Sequence, residues 1–394
     1  MNDIGISTRK PDPVARARAL GPAIAAVVDE IERIQAFPEP LLTKLHESRL
    51  FRLLLPRSVS GEQVEPWVYL AAIEEIARHD GSLGWNMFVA NSSALIAPFI
   101  PIEAARRIYS DPRGLISWGP PNQHKAVAAP GGYRITGEWH FSSGYRQANW
   151  IGAHAHVVEP DGSLRLNRHG RPTIRTLLMP KDKTTPIHDW NTLGMRGTAS
   201  EGYACKDVFV PEEFSGTRED PSLRRDTGPL YAFTMQGLYA VGVSAVALGI
   251  ARAMLDAFIE LALGKAPRNL GRLADSPVVQ SDVARREAAI GSARAFLVEI
   301  LKEVWEGADD VEPIGSAERV RVRLGCTQAI HVAEKTADWV YKAAGTSAIF
   351  LGTPFERRFR DIHTLSQQIQ SRDAHFEAVG RVMFNGDPDN TFMG

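Results

Sequence analysis

A chain of 394 residues, of which 44% are hydrophobic, can bury a large core, and its length corresponds to two or three domains. With 45 basic and 46 acidic residues its formal net charge is −1, which argues against binding to nucleic acid or to an anionic membrane surface. The two cysteines, Cys205 and Cys326, lie far apart and outside any Cys/His cluster. Neither a disulfide framework nor a zinc site is therefore expected, and the protein should be cytoplasmic.

The first part of the chain has a helical pattern. Its N-terminus is polar and lacks the apolar segment of a signal peptide. From about residue 14 to residue 108, apolar side chains recur every three or four positions, as at Ile24, Val27 and Ile31. This periodicity predicts an N-terminal helical domain over residues 1–113.

Short alternating segments replace the helical pattern between about residues 114 and 214. Examples are Tyr133-Arg134-Ile135 and the segment 151–157, separated by Pro-Gly-Gly, Pro-Asp-Gly and His-Gly turns. The alternation predicts a central domain of antiparallel strands, which we place at residues 114–225.

Long helical patterns return in the last part of the chain. They cover residues 238–263, 278–305, 317–344 and 354–384. Four long helices joined by short loops predict an antiparallel four-helix bundle over residues 226–394, and therefore an α+β fold. Small and apolar residues on several faces of 241–250 indicate a helix buried on several sides, and with it a homotetramer assembled through the bundle.

The uncharged stretch 228–251 is long enough to span a membrane. Thr234, Gln236 and Ser244 interrupt it, so a helix buried in the bundle is the better interpretation and no membrane association is expected. The following loop, 264–277, is rich in Arg, Gly and Pro and is too long for a simple bundle connection, which makes it a functional candidate.

Four motifs in order along the chain suggest a family. They are Gly-Ser-Leu-Gly-Trp at 81–85, the strand-turn-strand segment 132–144, Leu-Gly-Met-Arg-Gly-Thr at 193–198 with Val-Phe-Val-Pro at 208–211, and the C-terminal segment 344–363 with its Pro-x-Glu-Arg and Arg-Asp pairs. Together they resemble the acyl-CoA dehydrogenase superfamily over nearly the whole chain. The resemblance implies that superfamily's fold of helical, β and helical-bundle domains.

The residue that performs the usual chemistry of that superfamily is missing. Many of its dehydrogenases carry a catalytic Glu, in a Glu-Gly-Thr triplet, about eight residues beyond the Asp of the Arg-Asp pair. This chain has Ser366-Gln367-Gln368-Ile369-Gln370 there. Because no carboxylate is present, nothing on the segment could remove the proton alpha to a thioester.

The details of the central motif point to another reaction. Gly-Gly-Tyr-Arg-x-x-Gly-x-Trp-x-Phe-x-Ser-Gly at 131–144 resembles the oxygenase components of two-component flavin monooxygenases of the p-hydroxyphenylacetate hydroxylase and dibenzothiophene monooxygenase type. The resemblance implies that reduced FAD or FMN, supplied by a separate reductase, is used with oxygen to hydroxylate a small aromatic or heteroaromatic substrate, phenolic or indole-like. The exact substrate, the choice of FMN or FAD and the identity of the reductase remain open.

Two other functions fit the same scaffold, since one fold hosts several chemistries. One is an acyl-CoA or nitroalkane type of flavin dehydrogenase or oxidase whose base lies elsewhere in the chain. The other is a non-catalytic protein that binds flavin with this fold.

The resemblance assigns the flavin ring to the β-domain. It implies contacts from Ser117, Trp118, Phe141, Ser142 and Ser143, with the Ser143 hydroxyl at the N5/O4 edge of the ring. Gly144 lets the backbone approach a planar ligand, although a Ser-Ser-Gly hairpin turn without a ligand is the alternative. Trp118 could stack on the flavin, form a wall of the substrate pocket, or anchor a domain interface.

The same resemblance places further cofactor contacts in the bundle. Arg268 and Gln280 are expected to reach a flavin phosphate, commonly that of a neighbouring subunit, and an Arg suits phosphate because its planar fork donates two hydrogen bonds. Arg272 competes for this role. Gly345 and Thr346, in the turn before the Pro-x-Glu-Arg motif, are also assigned to the cofactor.

The catalytic assignments are Ser143, Gln368 and His363. Related monooxygenases read Ser-Gln-His where this chain has Gln368, and an amide can orient a substrate but cannot exchange a proton near neutral pH. Either the chemistry needs no base, or another residue such as His363 supplies it, while His375 should face solvent. Substrate contacts are expected from Asn91, Trp118 and Gln368.

No metal site is expected. His154 and His156 alternate on one strand face and could ligate a metal, but no further ligands cluster with them in the sequence. They are better interpreted as strand residues.

Overall fold

The structure is a computed structural model that describes residues 12–218 and 220–387. Its helices are α1 (Pro13–Ala25), α2 (Val28–Ile34), α3 (Glu39–Glu47), α4 (Pro66–His79), α5 (Gly81–Ala94), α6 (Ile102–Tyr109), α7 (Met235–Gly264), α8 (Pro277–Glu306), α9 (Ser316–Ala344), α10 (Glu356–Leu365) and α11 (Ala374–Met383). Its strands are β1 (Ile116–Trp118), β2 (Lys125–Ala129), β3 (Gly132–Ser142), β4 (Trp150–Val158), β5 (Ile174–Pro180), β6 (Thr185–Ile187), β7 (Glu201–Pro211) and β8 (Ser215–Gly216). The predicted order of helical, β and helical regions is confirmed. Residues 1–11 of the first predicted domain and 388–394 of the third lie outside the described residues.

Helix α5 is the centre of the N-terminal region. Asp80 caps it, since its Oδ1 accepts a hydrogen bond of 2.7 Å from the Leu83 amide. Every residue of α5 is buried except Trp85, which is partly exposed. A helix that is buried all round belongs to the core, so Trp85 is its one side chain directed toward a boundary of the protein.

The central sheet is mixed, and the predicted purely antiparallel arrangement is wrong. The strand order is β6-β7-β3-β2-β4-β5-β8, with β1 beside β4. Both β1 and β2 run parallel to β4, β1 along Trp150–Gly152 and β2 along 156–158, whereas the other pairs are antiparallel. Because β3 lies between β2 and β4 in the chain, neither parallel pair is joined by a hairpin, and only hairpins can be read from local turns.

Three aromatic rings tie the strands together. The rings of Trp139, Tyr203 and Tyr145 stack in a row, with centroids 5.5 and 5.9 Å apart and nearly parallel planes. Trp139 Nε1 donates to the His154 carbonyl at 3.0 Å, and the Tyr203 hydroxyl donates to the Gly152 carbonyl at 2.5 Å. The N–H and O–H groups of buried Trp and Tyr side chains need such partners. These two bonds therefore fix β3 and β7 against β4, the strand that carries both carbonyls.

Helix α7 forms the core of the C-terminal region. It is long and apolar enough to cross a membrane, but 89% of its most apolar window is buried inside the protein, as in the core helix of a bundle. A β-carbon at Gly242 would lie 2.6 Å from the Phe88 ring and the Tyr69 hydroxyl, and one at Gly249 would lie 2.5 Å from the Glu74 carbonyl. The two glycines therefore allow close contact with α4 and α5.

The fourth helix of the predicted bundle is not continuous. It divides into α10 and α11 around a 3₁₀ turn at Ile369–Ser371, because Gln368 takes an extended conformation and its Oε1 accepts from the Gln370 amide at 2.7 Å. The prediction that His375 faces solvent on the same helix face as Gln368 is therefore wrong. His375 is buried, and its ring Nε2 lies 2.8 Å from the Ile369 carbonyl oxygen.

The Arg-Asp pair connects α10 to the loop before β7. Asp361 Oδ1 accepts from the Met195 amide at 2.5 Å, and Arg360 donates to the Leu193 carbonyl at 3.0 Å. A β-carbon at Gly194 would lie 2.1 Å from the Arg360 carbonyl oxygen, so only glycine permits this approach. Burial, reinforced by the charge of Asp80, raises the pKa of the Asp361 carboxyl to about 7.

This raised pKa predicts a specific dependence of stability on pH. The pKa of Asp361 is near 3.8 in the unfolded chain and about 7 in the folded protein. The protonated carboxyl therefore gives its full contribution to the free energy of unfolding below pH 3.8, and this contribution is lost as the pH rises to about 7. Asp361→Asn keeps the acceptor for the Met195 amide and cannot ionise. We expect the variant to gain on the order of 2 to 4 kcal/mol over the wild type between pH 4 and pH 8, measured by denaturant unfolding.

The exposed Asp310 provides the control. Asp310→Asn changes the net charge by the same amount and measures that effect alone. A difference for Asp361→Asn that stays constant across this range, or that Asp310→Asn reproduces, would contradict the assignment.

Candidate functional site

A chain of hydroxyl groups lies where α5, the end of β3 and the loop before β7 meet. Trp85 Nε1 donates to Ser143 Oγ at 2.9 Å, and Ser143 Oγ is 2.6 Å from Ser200 Oγ. Ser200 Oγ is 2.7 Å from Thr198 Oγ1, which donates to the Met195 carbonyl at 2.8 Å. The elements that supply these groups are far apart in sequence, so only the tertiary fold brings them together.

The direction of the hydrogen bonds in this chain can be derived. A carbonyl only accepts, so the Thr198 proton is directed to Met195, Ser200 must donate to Thr198, and Ser143 must donate to Ser200. Ser143 Oγ then accepts from Trp85 and has one lone pair left. Toward a ligand, Ser143 is therefore a hydrogen-bond acceptor.

Two further serines expected at the cofactor adjoin this chain. Ser117 Oγ donates to the Ser143 carbonyl at 2.9 Å and lies 2.7 Å from Ser142 Oγ. The structure thus brings Ser117, Ser142 and Ser143 together at the junction of β1 and β3.

The backbone around the hydroxyl chain is strained. Phe141, Met195 and Ala199 all have left-handed φ values, of 60°, 54° and 39°. Left-handed conformations of residues other than glycine cost on the order of 1 to 3 kcal/mol each and concentrate at ligand sites. The Phe141 ring is 64% exposed, with the Trp190 ring edge-on at 6.2 Å, so an aromatic surface is open to a planar ligand beside the hydroxyls.

Buried polar atoms without a partner also occur here. Asn86 Nδ2 donates to the Thr198 carbonyl at 3.1 Å, but Asn86 Oδ1 has no hydrogen-bond partner among the described residues, and the same holds for Gln147 Nε2. Both amides lie about 3.6 to 3.8 Å from where a β-carbon of Gly144 would be. Such groups are usually satisfied by a ligand or by water.

These residues fit a reduced flavin. The acceptor on Ser143 suits the N5–H that a flavin ring carries only when it is reduced, and the free amide groups of Asn86 and Gln147 suit the polar edge of such a ring. When bound, the flavin would supply the two electrons for a reaction with oxygen.

An aromatic surface continues from Trp85 toward the C-terminal helices. The Phe88 ring packs edge-on against Trp85, with centroids 4.8 Å apart, and against Tyr239 of α7 at 4.9 Å. One helical turn from Tyr239, Gln236 Oε1 accepts from Gln370 Nε2 at 3.1 Å. Gln370 is buried and its own Oε1 has no partner in the described part of the chain, so its amide can still bond a ligand.

The structure gives Gln370, not Gln368, the interior position. The Gln368 side chain caps the 3₁₀ turn through its bond to the Gln370 amide. Sequence reasoning missed Gln370 because it treated 354–384 as one helix. It missed Trp85 because the residue was seen only as part of a turn motif.

Asn91, which was expected to contact the substrate, has structural partners. Asn91 uses all four of its hydrogen bonds on backbone groups, accepting from Leu53 and Leu54 and donating to Leu50 and Met87. It therefore has no group left for a substrate, and the expected contact is not supported.

His363 is directed toward α9. Its Nε2 is 2.8 Å from Asp338 Oδ1, its Nδ1 is 3.7 Å from Glu334 Oε1, and its ring packs edge-on against Phe359 at 4.3 Å. No contact found in the described residues joins it to the hydroxyl chain.

Trp118 lies on the opposite side of β1 from Ser117. Its buried ring packs edge-on against His154 at 5.0 Å, and the Arg218 guanidinium carbon lies 5.4 Å from its centroid. His154 Nδ1 is 2.9 Å from Thr176 Oγ1, and burial, aided by the Arg218 charge, lowers the pKa of His154 to about 3. Within the residues described, no group of three or more metal-ligating side chains occurs.

The expected phosphate contacts lie on the exposed surface of the bundle. Arg268 and Thr346 are exposed, Gln280 Nε2 donates to the Ala274 carbonyl at 2.8 Å, and Arg272 pairs with Asp275. Lys265 Nζ donates to the Ala344 carbonyl at 2.6 Å and so joins loop 264–277 to the turn that begins at Gly345. Within one chain these groups are separate from the hydroxyl chain, and their cofactor role stays a prediction.

An open cavity of about 580 Å³ has Glu201, the residue after Ser200, in its lining, but none of the residues of the hydroxyl chain. Its lining residues are Tyr145, Arg146, Lys181, Asp182, Thr184, Pro186, His188 and Glu201. The charges here satisfy one another, because Glu201 pairs with Arg146 and His188, and Lys181 donates to the Arg146 carbonyl. We therefore place the candidate site at the hydroxyl chain and its aromatic surface.

Comparison with known proteins agrees with this geometry. The chain matches the models of the acyl-CoA dehydrogenase N-terminal domain over residues 17–102 and C-terminal domain over residues 241–372, which together take in more than half of its length. It is 29% identical to indole-3-acetate monooxygenase of Pseudomonas putida, covering 95% of this chain and 96% of that protein. It is 26% identical to the oxygenase subunit HsaA of Rhodococcus jostii (strain RHA1), a flavin-dependent monooxygenase, covering 96% and 95%.

Among solved structures, XiaF from Streptomyces sp. in complex with FADH2 and glycerol superposes with a TM-score of 0.86, at 26% identity and with 96% of each chain covered. The fold and the site thus define a flavoprotein of the acyl-CoA dehydrogenase family, and the chain belongs to that family. Within the family, its relatives are the oxygenase components of flavin-dependent monooxygenases, and it is an enzyme of this class.

The position of Ser143 predicts a preference for reduced flavin. Ser143→Ala removes the acceptor and leaves the Trp85 N–H without its partner, so we expect the affinity for reduced flavin to fall roughly tenfold or more, while that for oxidised flavin changes less. More of the reduced flavin should then be spent on hydrogen peroxide. Anaerobic titration gives the affinities, and catalase-coupled assays give the peroxide.

Ser244→Ala is the matched control, because this buried hydroxyl donates to the Ala240 and Cys326 carbonyls in α7 and α9 and, within the described residues, forms no hydrogen bond with the hydroxyl chain of the site. It should leave both quantities unchanged. Equal losses of reduced and oxidised flavin affinity in Ser143→Ala would remove the assigned role.

Proposed function

We propose that this protein is the oxygenase component of a two-component flavin-dependent monooxygenase, which hydroxylates a small indole-like aromatic substrate with oxygen and with reduced flavin supplied by a separate reductase. The observation that carries the proposal is that segment 366–371 has no carboxylate and places in the interior the Gln370 side chain, whose Oε1 has no partner among the described residues. A site of this kind cannot remove a proton from an acyl thioester.

Carboxylates elsewhere near the site have other partners. Asp361 accepts from the Met195 amide, and Glu201 is paired with Arg146 and His188. Neither is available as the base that a dehydrogenase needs, which argues against the acyl-CoA dehydrogenase alternative.

The aromatic surface supports the substrate class. Trp85, Phe88 and Tyr239 offer ring faces and edges, and the Gln370 amide offers one polar contact, which suits a planar ring carrying a single N–H or hydroxyl. Two relatives, at 29% and 27% identity, are named indole-3-acetate monooxygenase, and the substrate we propose is of that kind.

The supply of reduced flavin is proposed on two grounds. The acceptor on Ser143 favours the reduced ring, and a relative from Rhizobium is named an FADH2-dependent oxygenase component. We propose FADH2 or FMNH2 delivered by a reductase in the cytoplasm.

A homotetramer would complete the cofactor site. Exposed apolar side chains cluster on the loops and helix ends of the bundle, at Leu263, Leu270, Val278, Ile349, Phe350 and Leu351. Exposed apolar side chains of this kind mark subunit contacts, and these lie on the same two segments as Arg268 and Thr346, which the Lys265 bond to the Ala344 carbonyl joins. Light scattering should return four times the chain mass of 43.3 kDa.

The proposal predicts product only when all three reactants are present. Anaerobic titration with FADH2 and with FMNH2, followed by mixing with oxygen and indole, should give a hydroxylated product identified by mass spectrometry. An acyl-CoA dehydrogenase would instead be purified with oxidised flavin that an acyl-CoA bleaches without a reductase. A non-catalytic binding protein would give neither oxygen consumption nor product.

The position of Gln370 predicts that its amide binds the substrate. Gln370→Ala should raise the KM for the aromatic substrate roughly tenfold, the cost of one buried hydrogen bond, with a smaller effect on kcat. Gln368→Ala is the matched control, since it removes only the cap of the 3₁₀ turn and should lower stability slightly while leaving KM within about twofold.

The opposite ranking of these two variants would restore the role expected for Gln368. In the Asp361→Asn background, where the carboxyl with a pKa of about 7 is removed, product formation in single turnover should also be insensitive to pH near neutrality. A pH dependence that disappears in His363→Asn would return the catalytic role to His363.

A further inference from the structure

The 3₁₀ turn that carries Gln370 is held by side chains of two neighbouring helices. Thr327 Oγ1 of α9 donates to the Gln370 carbonyl at 3.3 Å. His331 Nε2, one helical turn further along α9, lies 2.7 Å from the carbonyl oxygen of the residue after Gln370. His375 Nε2 of α11 lies 2.8 Å from the carbonyl oxygen of the residue before it. Side chains therefore bind the carbonyl oxygens of all three residues of the turn.

These bonds replace those that a continuous helix would have supplied. Gln370 and Ser371 are buried, and a buried backbone carbonyl without a hydrogen-bond partner is unfavourable, so the turn depends on donors from α9 and α11. A carbonyl only accepts, so the proton lies on Nε2 of His331. The ring carries this Nε2–H whether it is neutral or protonated, and the contact is therefore kept on either side of neutral pH.

The same bonds fix the direction of the Gln370 side chain. The backbone N–H of Gln370 donates to Gln368 Oε1 and its carbonyl accepts from Thr327, so its main chain is held on both sides. The side chain then reaches Gln236 of α7 at 3.1 Å, and its Oε1 has no partner in the described part of the chain. A side chain binds a ligand precisely only when its own backbone is held to within about 0.5 Å.

Of the three donors, His331 is the one whose loss reports on the turn alone. Its bond is the shortest, its side chain is 19% exposed, and its outer side meets the exposed Asp373 at 3.9 Å and the edge of the Phe376 ring at 5.2 Å. His375 and Thr327 are deeply buried, so replacing either would also leave a cavity in the core. His331 can be replaced at the edge of the core.

We infer that His331 is a positioning residue, which holds the turn 369–371 so that the Gln370 side chain meets the aromatic substrate. The inference deepens the proposed function and rests on it, since Gln370 is the residue proposed to bind the substrate. The Nε2–H of His331 is bound by the Ser371 carbonyl, so His331 acts on the substrate only through the turn. Its effect on substrate binding should therefore disappear when the Gln370 amide is removed.

A double-mutant cycle on the KM for indole tests this dependence. His331→Leu removes the donor and should raise KM roughly three- to tenfold, with kcat and the affinity for reduced flavin within about twofold of the wild type. In the Gln370→Ala background the same change should add less than about twofold. His331→Gln, whose amide nitrogen reaches the place of Nε2, should keep the wild-type KM. His331→Asn, whose amide nitrogen stands at the place of Nδ1, should behave like His331→Leu.

Thr336→Val is the matched control, because the Thr336 hydroxyl is buried in the same helix but donates to the Val332 carbonyl of α9 itself, at 2.8 Å. It should leave KM within about twofold. A wild-type KM in His331→Leu, or an increase that persists in full in the Gln370→Ala background, would overturn the inference. So would equal losses in KM, kcat and flavin affinity, which indicate a general distortion.

Two provisions keep the result decisive. If thermal unfolding shows that His331→Leu is not folded, the contrast between His331→Gln and His331→Asn takes its place. Failure of the proposed function is distinguishable, because the wild type itself would then give no hydroxylated product from indole. The same cycle is in that case measured as calorimetric affinities for indole, and the loss of the His331 effect in Gln370→Ala still decides whether His331 acts through Gln370.

Discussion

The hydrogen bond from the Met195 amide to Asp361 is the contact on which the site depends. It fixes the loop between β6 and β7, and the same Met195 residue accepts the Thr198 hydroxyl through its carbonyl. From Thr198 the bonds continue through Ser200 and Ser143 to Trp85 on α5. One connected set of hydrogen bonds thus links all three regions of the fold, and the Arg-Asp pair of the C-terminal helix determines how Ser143 is oriented.

Much of the fold could be predicted because its signals are local. Periodicity indicated α7, α8 and α9 to within three residues at each end, and alternation indicated the β-domain. Two features could not be predicted. The parallel pairing of β1 and β2 with β4 involves no hairpin that local turns could reveal. The helix break after Leu365 contains no Gly or Pro that would signal it, since the Gln368 side chain caps the turn instead.

The site was predicted where a motif carried it. Ser117, Ser142 and Ser143 came from the family resemblance and do meet in the structure. Gln370 could have been found from the three amides in Ser-Gln-Gln-Ile-Gln if the helix had not been taken as continuous.

The distribution of charge explains what chemistry the site can support. His363 is held by the acids of α9, His375 lies against a backbone carbonyl with a pKa lowered by burial to about 4, and His154 is neutral. The groups around the aromatic surface are hydroxyls and amides, which orient a substrate without exchanging protons near neutral pH. Without a base at the aromatic surface, the transfer of oxygen must be driven by the electrons of the substrate ring itself, and the nitrogen of an indole donates electrons to its ring.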